Sequence, residues 1–267
     1  MFIAPDADIL VVDDNPMNLS VVKGLLRATR VFVTTSQSGA DALDKIRDNH
    51  FDVVFLDLVM PVMDGMEVME KIREIDSRIP VYALSANAAE SEEYYISRGF
   101  KGYLPKPVDG EMLEKTIMKH LSEDRMEKPQ RAEKEELTEL PENLMWLNDT
   151  EGLSVADGIK GSGSISNFLF SLKLFLDTIE PNSVVLRDAY ESGNMRLYTI
   201  KVHALRVSAR IIGAGRLAEI ARGIEEAGER RNTEYIRESH YGLMSEYEAF
   251  RERLSGLKHS SEEEKQQ

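Results

Sequence analysis

The chain has 267 residues, 30 % charged and 42 % hydrophobic, which allows two modest domains with real cores and is ordinary for a soluble globular protein. Its net charge of -14 argues against a nucleic-acid backbone or an anionic membrane as main partner, because neutralising phosphates needs clustered Lys and Arg; it suits a partner with a basic face, although solubility and a charged linker account for most of it. The absence of cysteine removes disulfides, thiolate metal sites and cysteine nucleophiles.

Residues 1–9 lack a charged n-region and a sustained apolar h-region, and no apolar run approaches membrane-spanning length. The expected location is therefore cytoplasmic. Five short β-rich runs follow, at residues 9–12, 31–35, 53–56, 81–84 and 102–104. Stretches with helical spacing alternate with them, at 16–28, 39–47, 66–75, 89–97 and 110–121. Pro16 suits a first helical turn. This alternation predicts an α/β domain with a doubly wound, five-stranded parallel sheet over residues 1–121.

Residues 122–140 turn charged and lose periodicity, as expected of a solvated linker. Beyond residue 141 the strand signals disappear. Helical spacing is read at 165–179, from Pro181 to near Gly193, and over 194–212, 217–227 and 233–257. These predict an up-down helical bundle over 141–258, with a disordered tail at 259–267. The Gly-rich segment 158–164 lacks the Gly-Lys-Ser/Thr ending of a phosphate loop and has no preceding strand, so a flexible loop is expected.

The polar residues of the first domain fall at strand ends. Asp13 and Asp14 end the first strand, Asp57 the third and Ser85 the fourth, while Lys106 follows the fifth. Taken alone, Asp57 caps a turn. Together, these residues converge on the crevice outside the carboxyl ends of the strands. Carboxylates packed together repel and need a cation to coexist ionised; oxygen ligands select a hard metal, with Mg²⁺ the natural candidate. A carboxylate beside Mg²⁺, a Lys point charge and a hydroxyl donor can attack a phosphoryl group and hold the acyl phosphate. A structural calcium site is the weaker alternative, since Lys106 would crowd the metal. A phosphatase of the haloacid-dehalogenase type wants a second Asp where Val59 stands.

Residues 6–121 resemble a two-component response-regulator receiver domain. The matching motifs are Val11-Val12-Asp13-Asp14-Asn15, Leu56-Asp57-Leu58-Val59-Met60-Pro61 running on to Asp64-Gly65, Leu84-Ser85-Ala86 and Leu104-Pro105-Lys106-Pro107. The resemblance implies that Asp57 is the phosphoacceptor. It further implies that Asp14, Asp57 and the Val59 carbonyl hold Mg²⁺, with Asp13 acting through water. Ser85 and Lys106 would bind phosphoryl oxygens, Tyr103 would be the aromatic switch, and the Lys106-Pro107 bond would be cis. The segment Asp14-Asn15-Pro16-Met17-Asn18 is similar to receivers attached to hybrid sensor kinases; as a local reading, both Asn cap the first helix.

In the second half, Thr199, His203, Arg206 and Arg210 share one narrow stripe of the helical wheel, with apolar residues to either side. The wheel predicts that His203 faces solvent. No metal partner stands three or four residues away, and the arginines would repel a cation. An exposed imidazole with a cationic surround suits a transient phosphohistidine. The run from His203 to Ala214 resembles the signature of a histidine-containing phosphotransfer domain, the resemblance extending over about residues 144–257. Arg206 stands where that family usually has Lys. Val207 stands where it usually has Gly, a position from which a branched side chain would crowd a phosphoryl group on His203.

The expected function is that of a His–Asp phosphorelay protein of the bacterial type. Asp57 would accept phosphoryl from a histidine kinase, and His203 would relay it to or from a receiver. The partners would be that kinase and another receiver or phosphotransfer domain. The chain carries no kinase catalytic domain and no recognisable DNA-binding module. Two further readings stand beside this one. In the first, the helical domain only binds partners, under control of the receiver. In the second, the two domains belong to the tail of a hybrid sensor kinase.

Overall fold

The computed structural model describes residues 2–86, 90–127 and 139–257. Most of the expected linker and the whole of the expected tail lie outside the described residues, as does the start of the helix expected at residue 89. The chain divides into two compact units, Met1–Lys134 and Glu135–Gln267.

In the first unit, strands β1 (Asp8–Val12), β2 (Phe32–Ser36), β3 (Val53–Asp57), β4 (Val81–Ser85) and β5 (Gly102–Pro105) alternate with helices. The helices are α1 (Pro16–Leu26), α2 (Gly39–Asp48), α3 (Gly65–Ile75), α4 (Glu92–Ile96) and α5 (Gly110–Met118). The strands pair in parallel in the order β2-β1-β3-β4-β5. β3 and β4 are buried along their whole length, as continuous apolar runs covered by helices on both faces should be. β2 is an edge strand, exposed at Phe32, half-buried over the next three residues and buried only at Ser36. One apolar layer gathers Ile9, Val11, Val53, Phe55 and Leu113; the other gathers Leu10, Val12, Val54, Leu56 and Ile72. The alternation of residues between these layers is the period-2 pleat of the strands.

Two details aim this fold at a site. The strand order reverses direction between β1 and β3, which opens a crevice at their carboxyl ends. There, α3 starts almost on top of β3: a Cβ on Gly65 would lie 2.2 Å from the Asp57 carbonyl oxygen, so only glycine allows the approach. Four of these five helix starts are capped by side chains. Asn15, Ser38, Asp64 and Asp109 each accept a backbone N–H of the first turn.

The second unit is helical: α6 (Val155–Ser162), α7 (Ile165–Glu191), α8 (Met195–Ile211), α9 (Gly215–Glu229) and α10 (Thr233–Arg253). Each of the last four packs on the next, and α10 returns to α7. Their shared core includes Phe168, Phe175, Val202, Leu217, Ile224, Tyr247 and Phe250. Two expectations are corrected. Pro181 does not start a helix but lies inside α7. Its missing N–H removes one helical bond, and burial of Phe168, Leu172, Ile179, Ser183 and Leu186 along both halves holds the helix together. The Gly-rich segment is not a flexible loop: most of it is the second half of α6, ended by Gly163 in the left-handed conformation at φ 83°. Gly158 is needed for packing, since a Cβ there would lie 2.2 Å from the Phe168 ring. Among the described residues, no helix is long and apolar enough to cross a membrane.

Candidate functional site

The crevice of the first unit collects the residues expected there. Asp13 follows β1, Asp57 ends β3, and Lys106 lies just past β5. The Lys106 Nζ is 2.6 Å from Asp13 Oδ2 and 2.9 Å from Asp57 Oδ1. All three side chains are buried. Asp13 also accepts from the Asn18 amide at 2.9 Å and from the Asn15 backbone N–H at 2.9 Å. The Asn15 side chain accepts the Met17 N–H and so caps α1, whereas Asn18 helps to hold Asp13. Asp57 Oδ1 accepts the Val59 N–H at 3.2 Å, so the turn-capping role exists alongside the contact to lysine. The Lys106-Pro107 peptide is cis.

Asp13, Asp14 and Asp57 each offer a carboxylate oxygen, all within 4.8 Å of one another. Burial works to lower the Lys106 pKa, but the charges of Asp13 and Asp57 outweigh it and push it up, so the ammonium stays charged. Three carboxylates thus gather in a confined space, two of them in contact with the ammonium. This donor set of hard oxygens fits a hard divalent cation.

Ser85 ends β4 one residue beyond Leu84, the register partner of Asp57. It is buried, and its Oγ accepts a hydrogen bond from the Tyr95 hydroxyl at 3.0 Å. The Tyr95 ring stacks on Tyr103, with centroids 4.8 Å apart and planes at 27°. Tyr95 is not among the expected site residues. Its only sequence signal is membership of a helical stretch, which does not say which ring reaches Ser85.

The expectation that His203 faces solvent is corrected: it is 6 % exposed, and Arg206 is 8 % exposed. Helix α9 covers the stripe. It approaches closely because Gly228 has no side chain; a Cβ there would lie 2.2 Å from Thr199 Oγ1. Glu225 of α9 then reaches the middle of the stripe. His203 Nδ1 is 2.7 Å from Glu225 Oε1, and the Arg206 Nε donates to Oε2 at 2.5 Å. Only Arg210 is exposed, and Val207 is buried with its neighbours. Burial opposes ionisation of Glu225, but the hydrogen bond to His203 and the charge and hydrogen bond of Arg206 hold its pKa below the usual value. The His203 Nε2 is enclosed and has no hydrogen-bond partner among the described residues. A signal for Glu225 does exist: it lies four residues after Ala221 and seven after Ala218, on the buried side of α9.

Residues 9–118 match the family model of the response regulator receiver domain. The sensor histidine kinase GacS of Pseudomonas protegens is 30 % identical over 216 residues, covering 78 % of this chain and 23 % of that protein. The sensor histidine kinase RcsC of Escherichia coli K12 is 35 % identical over 113 residues, covering 42 % of this chain and 12 % of that protein. The chain thus spans less than a quarter of the length of these curated relatives. Among solved structures, a sensor histidine kinase receiver domain from Pseudomonas aeruginosa PAO1, described with a magnesium ion coordinated in its active-site cleft, is 30 % identical. That likeness covers 43 % of this chain and 96 % of that one, with a TM-score of 0.40. Residues 9–118 of this chain are a response regulator receiver domain of the two-component type.

Proposed function

We propose that Asp57 is the phosphoryl acceptor of a His–Asp phosphorelay and that a histidine kinase is its donor. The observation that carries this reading is the buried contact of Lys106 with Asp13 and Asp57, beside a third carboxylate. An Asp57 oxygen attacks phosphorus, the bond from phosphorus to the donor imidazole breaks, and an acyl phosphate forms. Lys106 neutralises one phosphoryl oxygen and the Ser85 hydroxyl donates to another. Asp13 keeps Lys106 in place. Asp14, Asp57 and the Val59 carbonyl would hold Mg²⁺, with Asp13 acting through water. When bound, that ion offsets the negative charge on the phosphoryl oxygens. Tyr103 turns inward as Ser85 moves toward the phosphoryl group.

For the helical unit, over about residues 141–258, we propose a phosphotransfer role centred on His203. The match to GacS supports it: 78 % of this chain is covered, more than the first unit contains, so the likeness continues into the second. Glu225 accepts the Nδ1 hydrogen, which leaves the Nε2 lone pair as the nucleophile. Because Nε2 is enclosed, transfer requires the ring or its cover to shift before a receiver carboxylate can approach in line. Arg206 is tied to Glu225, so among the expected cationic pair Arg210 is the one exposed to a docking partner. The same enclosure favours a second reading, in which the helical unit binds partners without taking up phosphate. Both readings place the protein in the cytoplasm, either by itself or within a longer sensor kinase.

Label transfer tests the proposal. Phosphoryl from a histidine kinase or acetyl phosphate should enter the wild-type chain and be absent from Asp57→Asn. Acid-labile, alkali-stable label that disappears in His203→Gln establishes the relay. Its absence with every receiver tried leaves the binding-only reading.

A further inference from the structure

We propose that Tyr95 is a positioning residue of the phosphorylation switch, joining Ser85 to Tyr103 through one side chain. The inference rests on the reading that Ser85 donates to the phosphoryl group. Tyr95 is 1 % exposed and sits in an apolar layer with Leu56, Val81, Ala83 and Phe100. A hydroxyl in such surroundings needs a hydrogen-bond partner. Its partner is Ser85 Oγ at 3.0 Å. Burial raises the phenol pKa, which keeps the proton on the donor. The same ring lies against Tyr103 at 4.8 Å. Tyr103 in turn pairs with Ala83, whose position two residues before Ser85 puts both on one face of β4.

The geometry has a mechanical consequence. A serine hydroxyl can accept and donate at once, so Tyr95 need not be displaced for Ser85 to donate to a phosphoryl oxygen. As Ser85 shifts toward Asp57, however, the Tyr95 hydroxyl must follow it or lose its buried partner. If it follows, its ring slides across Tyr103. In the arrangement seen here, Tyr95 therefore latches Ser85 and Tyr103 in the unphosphorylated positions, and α4 moves with them.

The test uses the full chain, acetyl phosphate as donor and Mg²⁺, with Tyr95→Phe, Ser85→Ala and the double variant. Tyr95→Phe keeps the ring and removes the latch. Phosphoryl uptake should rise about two- to tenfold, the net worth of one hydrogen bond, and the Tyr103 ring resonance should move toward its phosphorylated position. In the Ser85→Ala background, Tyr95→Phe should change neither quantity. An equal effect with and without Ser85, or an unmoved Tyr103 resonance, overturns the inference and leaves Asp57 as acceptor. Failure of the wild-type chain to take up phosphoryl overturns both.

Discussion

The two candidate centres use the same kinds of charge and arrange them differently. In the receiver crevice, Lys106 pairs with Asp13 and Asp57, and Asp14 brings a third carboxylate oxygen to within 4.8 Å of theirs. In the helical unit, Glu225 meets both Arg206 and His203, and at that centre His203 Nε2 has no hydrogen-bond partner among the described residues. On the proposed reading, the first arrangement takes a cation and an incoming phosphoryl group with only local shifts of Ser85 and Tyr103. The second is closed around its own ion pair. The difference teaches that a constellation of the right residue types is not by itself an open site. Which neighbouring helix covers it decides.

The contrast can be broken most strongly at Lys106. Lys106→Met should leave Asp13 and Asp57 without their buried counter-charge and destabilise the receiver by about 3–5 kcal/mol at neutral pH, read as a lower urea midpoint. Phosphoryl uptake should fall about 10²–10³-fold in the same variant. Next in size is the response to a cation. At Mg²⁺ about a hundredfold above its dissociation constant, the receiver should gain about 2.7 kcal/mol, and Asp14→Asn should abolish most of that gain. The helical unit should show no such response, because its carboxylate is already paired. A Mg²⁺-dependent shift in its own unfolding would remove the contrast.

Much of the receiver is legible in the sequence. Each strand is placed to within about a residue at either end, because buried parallel strands are continuous apolar runs and stop where the polarity changes. Counting from those ends then locates Asp13, Asp57, Ser85 and Lys106. It does not locate Tyr95, since a helical period tells which face a residue occupies but not which hydroxyl its ring will meet. The helical unit is harder for a related reason. The wheel places Thr199, His203, Arg206 and Arg210 on one stripe correctly, yet it cannot show that α9 lies over that stripe with Gly228 seated against Thr199. Polarity suggests solvent where the structure has a buried ion pair. Pro181 and the glycines of α6 mislead in the same direction: local propensity favours a break, and packing against Phe168 and its neighbours overrides it.

The smallest expected effects concern Glu225, and they separate its charge from its shape. Glu225→Gln keeps the volume but removes the carboxylate that His203 and Arg206 share, and should destabilise the helical unit by about 1.5–3 kcal/mol at neutral pH. The pH dependence follows from the lowered pKa of Glu225, whose usual value is 4.5. A carboxylate held below its unfolded value contributes stability that is complete above pH 4.5 and is lost as pH falls through the lower, folded value. In the wild type, acidification removes that contribution; in Glu225→Gln there is nothing to remove. The two urea midpoints should therefore differ at pH 7 and converge as the pH drops below the folded pKa. A gap that stays constant across this range would mean that packing of the side chain, rather than its charge, closes the helices over His203.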